Sequence, residues 1–144
     1  MNKIDRFFGP YRFLSNFYPA EVLYEDILYK SSEAAYQAAK TTDIHLKKVM
    51  RSMSPAEAKR HGNALLPRRK DWDEVKFKIM SEIVLNKFSQ NEGLKQKLLD
   101  TGFAYLEEGN TWNDTYWGVC NGEGKNKLGL ILMRTRDILR NKGK

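Results

Sequence analysis

Through the middle of the chain apolar residues recur every three to four positions, the spacing of helices with one buried face. Val75, Ile79 and Ile83, with Met80 and Val84 between them, make a broad apolar stripe. With Asp71 as its cap, that stripe predicts a helix from Trp72 to about Lys87. Ser54-Pro55-Ala56-Glu57 combines a capping serine, a proline at the first helical position and a glutamate at the third, and predicts a helix that stops at Gly62. Asp43 caps a short amphipathic helix over 43–51. Leu94, Leu98 and Leu99 mark another from Glu92 to Asp100, and a last one covers Leu128 to Leu139. Alternation of period two is rarer. Val22 and Tyr24, then Ile27-Leu28-Tyr29, flank Glu25-Asp26 and predict a β-hairpin, and Phe103 to Glu107 alternates as a strand. Gly9-Pro10 and Tyr18-Pro19 break regular structure, so Phe13 to Tyr18 reads as a buried loop or turn. Gly109 to Trp117 reads as a polar, Trp-bearing loop, followed by a flexible stretch punctuated by Gly118, Gly122, Gly124 and Gly129.

The segment Ser32-Glu33-Ala34-Ala35-Tyr36-Gln37-Ala38-Ala39-Lys40 stands apart, because as a helix it places an acid, an amide and an amine on one face. At roughly 100° per residue Glu33 and Gln37 are one turn apart, and Lys40 returns to within about 20° of Glu33 two turns on. Ser31 or Ser32 supplies the N-cap. The alanines between favour the helix and add no bulk, so something large can approach this face. It reads either as a site or as a solvated surface with one weak ion pair.

Size and charge narrow the class. A chain of 144 residues, 41% hydrophobic and 30% charged, fits one globular domain with a core of its own. No stretch approaches the roughly 20 apolar residues that span a bilayer, so neither export nor membrane insertion is expected and the protein reads as cytoplasmic. Cys120 is the only cysteine, which excludes an internal disulfide and a cysteine metal cage. His45 and His61 lack metal-ligand spacing, no carboxylate cluster calls for an ion, and no metal is expected. The excess of 25 Lys and Arg over 18 Asp and Glu gives a formal charge of +7 and favours an anionic partner, a phosphate ester or a nucleic acid. That charge is spread out except in Pro67-Arg68-Arg69-Lys70 and the C-terminal Arg134, Arg136, Arg140, Lys142 and Lys144. A solvated, soluble surface explains most of it equally well.

Several blocks, taken in order, resemble the NADAR superfamily. They are Phe13-Leu14-Ser15-Asn16-Phe17-Tyr18; Ser32-Glu33 with Tyr36-Gln37-Ala38 and Lys40; Asp71-Trp72; Lys87-Phe88 with Asn91; Thr101-Gly102; Glu107; Asp114 with Trp117-Gly118; and Gly124, Asn126, Leu128-Gly129, Leu132-Met133 and Arg136. The resemblance spans nearly the whole chain and is loosest over residues 41–70. Pro10-Tyr11-Arg12 stands where a glycine-rich lead is expected. It implies a compact single-domain fold, mainly α with a small β component (α+β), and hydrolysis of an N-glycosidic bond. The bond joins ribose phosphate or ADP-ribose to an amine of a heterocyclic base, in riboflavin-biosynthesis intermediates or in ADP-ribosylated guanine. The implied partner is a small ribosylated heterocycle or an ADP-ribosylated nucleic acid, and no cofactor is implied.

Two routes break such a bond. In one, a carboxylate activates water as the anomeric carbon gains oxocarbenium character, with Glu33 and Asp114 as the acid/base residues. In the other, the ribose opens and Lys40 attacks the anomeric carbon to form a Schiff base, with Glu33 moving the proton. Asp114 also reads as an ordinary Asx-turn residue. Ser15, Asn16, Tyr36, Gln37, Trp72, Trp117 and Asn126 are the expected substrate contacts, with structural roles as the alternative for Asn16, Trp72, Trp117 and Asn126, such as helix packing for Trp72 and turn geometry for Asn126. Arg12, Arg69, Arg134 and Arg136 are the expected phosphate contacts. The rival function is a non-catalytic nucleotide- or nucleic-acid-binding module, which needs basic residues aligned with exposed aromatics.

Overall fold

The structure, a computed structural model, describes residues 2–65 and 67–142. Lys144 of the C-terminal basic run lies outside the described residues. Among the described residues there are six α-helices, one 3-10 helix and two two-stranded sheets, so the fold is mainly α with a small β component. The chain forms two compact units, one from residues 16–90 and one from the residues up to 15 together with those from 91 onward.

The first unit holds the hairpin β2 (Val22–Tyr24) and β3 (Ile27–Tyr29) and helices α1 (Ser32–Ala38), α2 (Ile44–Met50), α3 (Pro55–Ala64) and α4 (Trp72–Gln90). Glu25 and Asp26 both take positive φ, 49° and 68°, the twist a two-residue hairpin turn requires. Val22, Tyr24, Ile27 and Tyr29 point inward while Leu23 and Leu28 face out. α2 and α3 begin where their caps predict: Asp43 accepts from the amides of His45 and Leu46, and Ser54 and Glu57 form a complete capping box. α3 continues two residues past Gly62. That glycine keeps ordinary helical backbone and serves close packing, because a Cβ there would collide with the Gln37 amide. α4 runs to Gln90, beyond the expected Lys87, because Asn86 and Gln90 both bond the exposed edge of β2: Gln90 accepts from Leu23 N at 2.8 Å and donates to Leu23 O at 3.0 Å.

Every residue of α1 is buried. The alanines admit close neighbours, as their size predicts, and α3, α4 and the hairpin pack against them.

The second unit holds β1 (Lys3–Ile4), a 3-10 helix at Gly9–Leu14, α5 (Glu92–Asp100), β4 (Tyr105–Leu106) and α6 (Lys127–Lys142). β1 pairs in parallel with β4, Lys3 opposite Tyr105 and Ile4 opposite Leu106. The alternation over 103–107 is borne out, but only its centre is strand. α6 turns Leu128, Ile131, Leu132 and Leu139 inward against β4 and α5. The glycine-rich stretch is pinned rather than loose. Val119 donates to Glu108 O and Asn110 to Val119 O, both at 2.9 Å, and a Cβ on Gly118 would strike the Glu108 backbone.

Candidate active site

Ser31 caps α1 by accepting from Ala34 N at 3.1 Å, which sets Glu33 in the first turn. Glu33 is 8% exposed, and its Oε2 accepts from Gln37 Nε2 at 2.6 Å, the one-turn pairing the sequence predicts. Gln37 Oε1 is enclosed beside Gly62 and accepts no hydrogen bond. Gln37 therefore acts on Glu33, holding the carboxylate in place, and does not face an open cleft.

Lys40 departs from the expected helix face. α1 ends at Ala38, and the backbone tightens into three-residue turns, with Lys40 N donating to Gln37 O and Thr41 N to Ala38 O, both at 3.2 Å. Lys40 O then accepts from Arg69 N at 2.8 Å, which ties the segment before α4 to the end of α1. Lys40 is 5% exposed, and its amine lies 3.5 Å from Asn63 Oδ1 on α3 and 5.8 Å from the centre of the Tyr36 ring. Burial pushes its pKa down to about 8, the charges of Arg68, Lys59 and Lys76 push the same way, and Glu33 opposes them. An amine so placed has a substantial neutral fraction near neutral pH.

Several expected contacts carry structural duties. Asn16 accepts from Ser32 Oγ at 2.9 Å, reaches Met80 Sδ through its Nδ2 and, through its carbonyl, accepts from Glu33 N at 3.1 Å. Asn16 thus anchors the start of α1. Trp72 is buried against Tyr36, ring centres 5.1 Å apart and tilted by 54°. Arg69 grips Asp71 with two parallel bonds of 2.7 and 3.1 Å, which occupies both the guanidinium and the carboxylate expected to cap α4. In the other unit Arg136 is buried, with Nη1 donating to Thr101 Oγ1 and Ala104 O at 2.9 Å, which ties α6 to the turn after α5. Asn126 takes φ of 51°, accepts from Glu108 N and donates to Leu106 O, both at 2.9 Å. It holds the backbone that leads from β4 into the loop.

Asp114 adopts the Asx arrangement, its Oδ1 accepting from Tyr116 N and Trp117 N at 3.2 and 3.0 Å, while Asn110 brackets its backbone from both sides. Trp117 is half-buried and meets Tyr116 edge-on, ring centres 4.7 Å apart. Arg12 and Arg134 are exposed and Ser15 is half-buried. Asn63, which contacts the Lys40 amine, and Lys59, Arg68 and Lys76, whose charges act on it, were not among the expected site residues. Their signals were the Arg68-Arg69 run and the one-turn spacing of Lys59 and Asn63 on a well-capped helix. Among the described residues no group of three His, Cys, Asp or Glu side chains is arranged to hold a metal ion, and no helix is long and apolar enough to cross a membrane.

Fold and site together define a mainly helical protein with an acid and a depressed-pKa amine buried at the two ends of one short helix. The NADAR domain model matches residues 6–140, and the chain belongs to that family. It is 39% identical to the N-glycosidase YbiA of Shigella flexneri over 128 residues, 87% of this chain and 79% of the relative. It is equally 39% identical to a riboflavin biosynthesis protein of Vibrio vulnificus over 130 residues, 88% of this chain but 35% of that longer protein. The NMR structure of Escherichia coli YbiA superposes with a TM-score of 0.88 at 34% identity, covering 99% of this chain and 89% of the other.

Proposed function

We propose that this chain is an N-glycosidase that cleaves the bond between the anomeric carbon of a ribose phosphate and an amine of a heterocyclic base, with Glu33 and Lys40 as its reacting groups. The observation that carries the reading is the Glu33–Gln37–Lys40 arrangement: a carboxylate held by a buried amide, and an amine whose pKa falls to about 8. The kinship with proteins named N-glycosidase YbiA and riboflavin biosynthesis protein supports the reaction class.

With a pKa of about 8, roughly one Lys40 in ten is neutral at pH 7. As the ribose ring opens the ring oxygen takes a proton from water, leaving an iminium between C1′ and the base nitrogen that the Glu33 carboxylate stabilises. The neutral Lys40 amine adds to C1′. Its proton returns through Glu33 to the base nitrogen, the C1′–N bond to the base breaks, and a Lys40–C1′ imine remains. Water adds to that imine and releases the sugar aldehyde and the free lysine. Asp114, with Oδ1 engaged in its turn, is the weaker acid/base choice. ADP-ribosylated guanine in nucleic acid is the second substrate this chemistry accommodates, the +7 charge suiting either anion. Phosphorylated intermediates do not cross membranes unaided, so the reading places the chain in the cytoplasm.

The test is to incubate the protein with a phosphoribosylated aminopyrimidine and with ADP-ribosylated guanine oligonucleotide, and to quantify released base and sugar. Cleavage of at least one, lowered about 100-fold or more in Glu33→Gln, is expected. Binding of the oligonucleotide with steep salt dependence and no turnover would favour the binding module instead.

A further inference from the structure

The sequence nominates four arginines for the substrate phosphate, and two of them are spent: Arg69 on Asp71 and Arg136 on the turn after α5. Arg12 is on the 3-10 helix and Arg134 on α6. Three other cations stand next to residues that touch Lys40 or its contacts, on three separate elements. Lys59 is on α3 one turn before Asn63, which contacts the Lys40 amine at 3.5 Å, so both lie on the same side of that helix. Arg68 directly precedes Arg69, whose amide is fastened to Lys40 O at 2.8 Å. Lys76 follows Trp72 by one turn on α4, and Trp72 packs on Tyr36, the residue under the Lys40 amine. Arg68 and Lys59 are exposed, and among the described residues neither pairs with a carboxylate. Lys76 is partly committed, 3.6 Å from an Asp73 side chain that is itself 90% exposed.

Among the described residues Arg68 and Lys59 have no carboxylate to balance them, so an anion placed between them relieves their charge. Lys59 also lies 5.7 Å from the centre of the Phe17 ring, which fixes the end of an otherwise mobile side chain beside an exposed aromatic. We propose that Arg68 and Lys59, with Lys76 behind them, form the phosphate subsite of the Glu33–Lys40 centre, binding the phosphoryl group that the ribose carries. A phosphate monoester has close to two negative charges at neutral pH, and an arginine fork with a lysine matches its oxygens. This assignment rests on the N-glycosidase reading for its substrate, and not for the binding of the phosphate itself.

The experiment has two arms. In the first, calorimetry measures binding of ribose 5-phosphate to the full chain, to Arg68→Ala, to Lys59→Ala and to Lys78→Ala, the last being an exposed residue two positions from Lys76 on the far side of α4. Loss of one charge-assisted contact weakens binding by roughly 10-fold or more in the first two variants and leaves Lys78→Ala unchanged, with Arg68→Lys partly restoring it. In the second arm, KM and kcat are compared for a ribosylated aminopyrimidine 5′-phosphate and for the same riboside after phosphatase treatment. Arg68→Ala and Lys59→Ala raise KM for the phosphorylated substrate alone. No binding of ribose 5-phosphate by the unaltered chain, or equal binding by all variants, overturns the subsite. Equal losses on both substrates do so too. If neither glycoside is cleaved but ribose 5-phosphate binds and Arg68→Ala releases it, the subsite stands and the reaction assigned above falls.

Discussion

Lys40 is where residue chemistry bears most on activity. Its amine is held down by burial and by Arg68, Lys59 and Lys76, and held up by Glu33. Attack on carbon needs the neutral amine, so the rate should climb with pH through a limb centred at about 8 and level off above it. Removing Arg68 takes away a repelling charge, raises the Lys40 pKa and moves that limb to higher pH. A pH–rate profile of the two proteins checks this, and a limb that stays in place in Arg68→Ala contradicts it. The Glu33–Gln37 contact was legible because one-turn spacing fixes it locally. The particular partners of Asn16 and Asn126 were not. A loop asparagine has both a donor and an acceptor, and only the fold decides whether they meet backbone or ligand. Arg69 is the intermediate case: Asp71 two residues away was a visible partner, and the pairing formed.

Among the elements, those with local signals were readable. The Asp43 cap, the Ser54–Glu57 box and the hairpin at Glu25-Asp26 each depend on contacts within a few residues. β1 escaped notice because two residues carry no alternation, and its parallel partner β4 lies a hundred residues on. The end of α1 escaped for a related reason. An unbroken alanine-rich pattern predicts continuation, while the bond from Arg69 N to Lys40 O draws the chain out of the helix. The α1–α3 contact at Gly62 offers a direct check, because an added methyl there must displace the Gln37 amide that holds Glu33. Gly62→Ala should lower stability by about 1–3 kcal/mol in denaturant unfolding, despite alanine's better helix propensity. A variant as stable as the parent would show that the helices are not in such close contact.

At the scale of the molecule, the helical class followed from apolar spacing, and the family from blocks scattered over the chain. The excess of positive charge said only that an anion was welcome. Its distribution says more, since Arg68 and Lys59, neither paired with a carboxylate among the described residues, both stand beside residues that hold Lys40. The central claim is that the short buried helix α1 carries the reacting acid and delivers the reacting amine just past its end. Sodium borohydride added during turnover of a phosphoribosylated aminopyrimidine, followed by peptide mass spectrometry, tests it most directly. The account predicts a reduced sugar adduct on Lys40 that is absent from Lys40→Ala. Turnover with no adduct, or an adduct on another lysine, would contradict it.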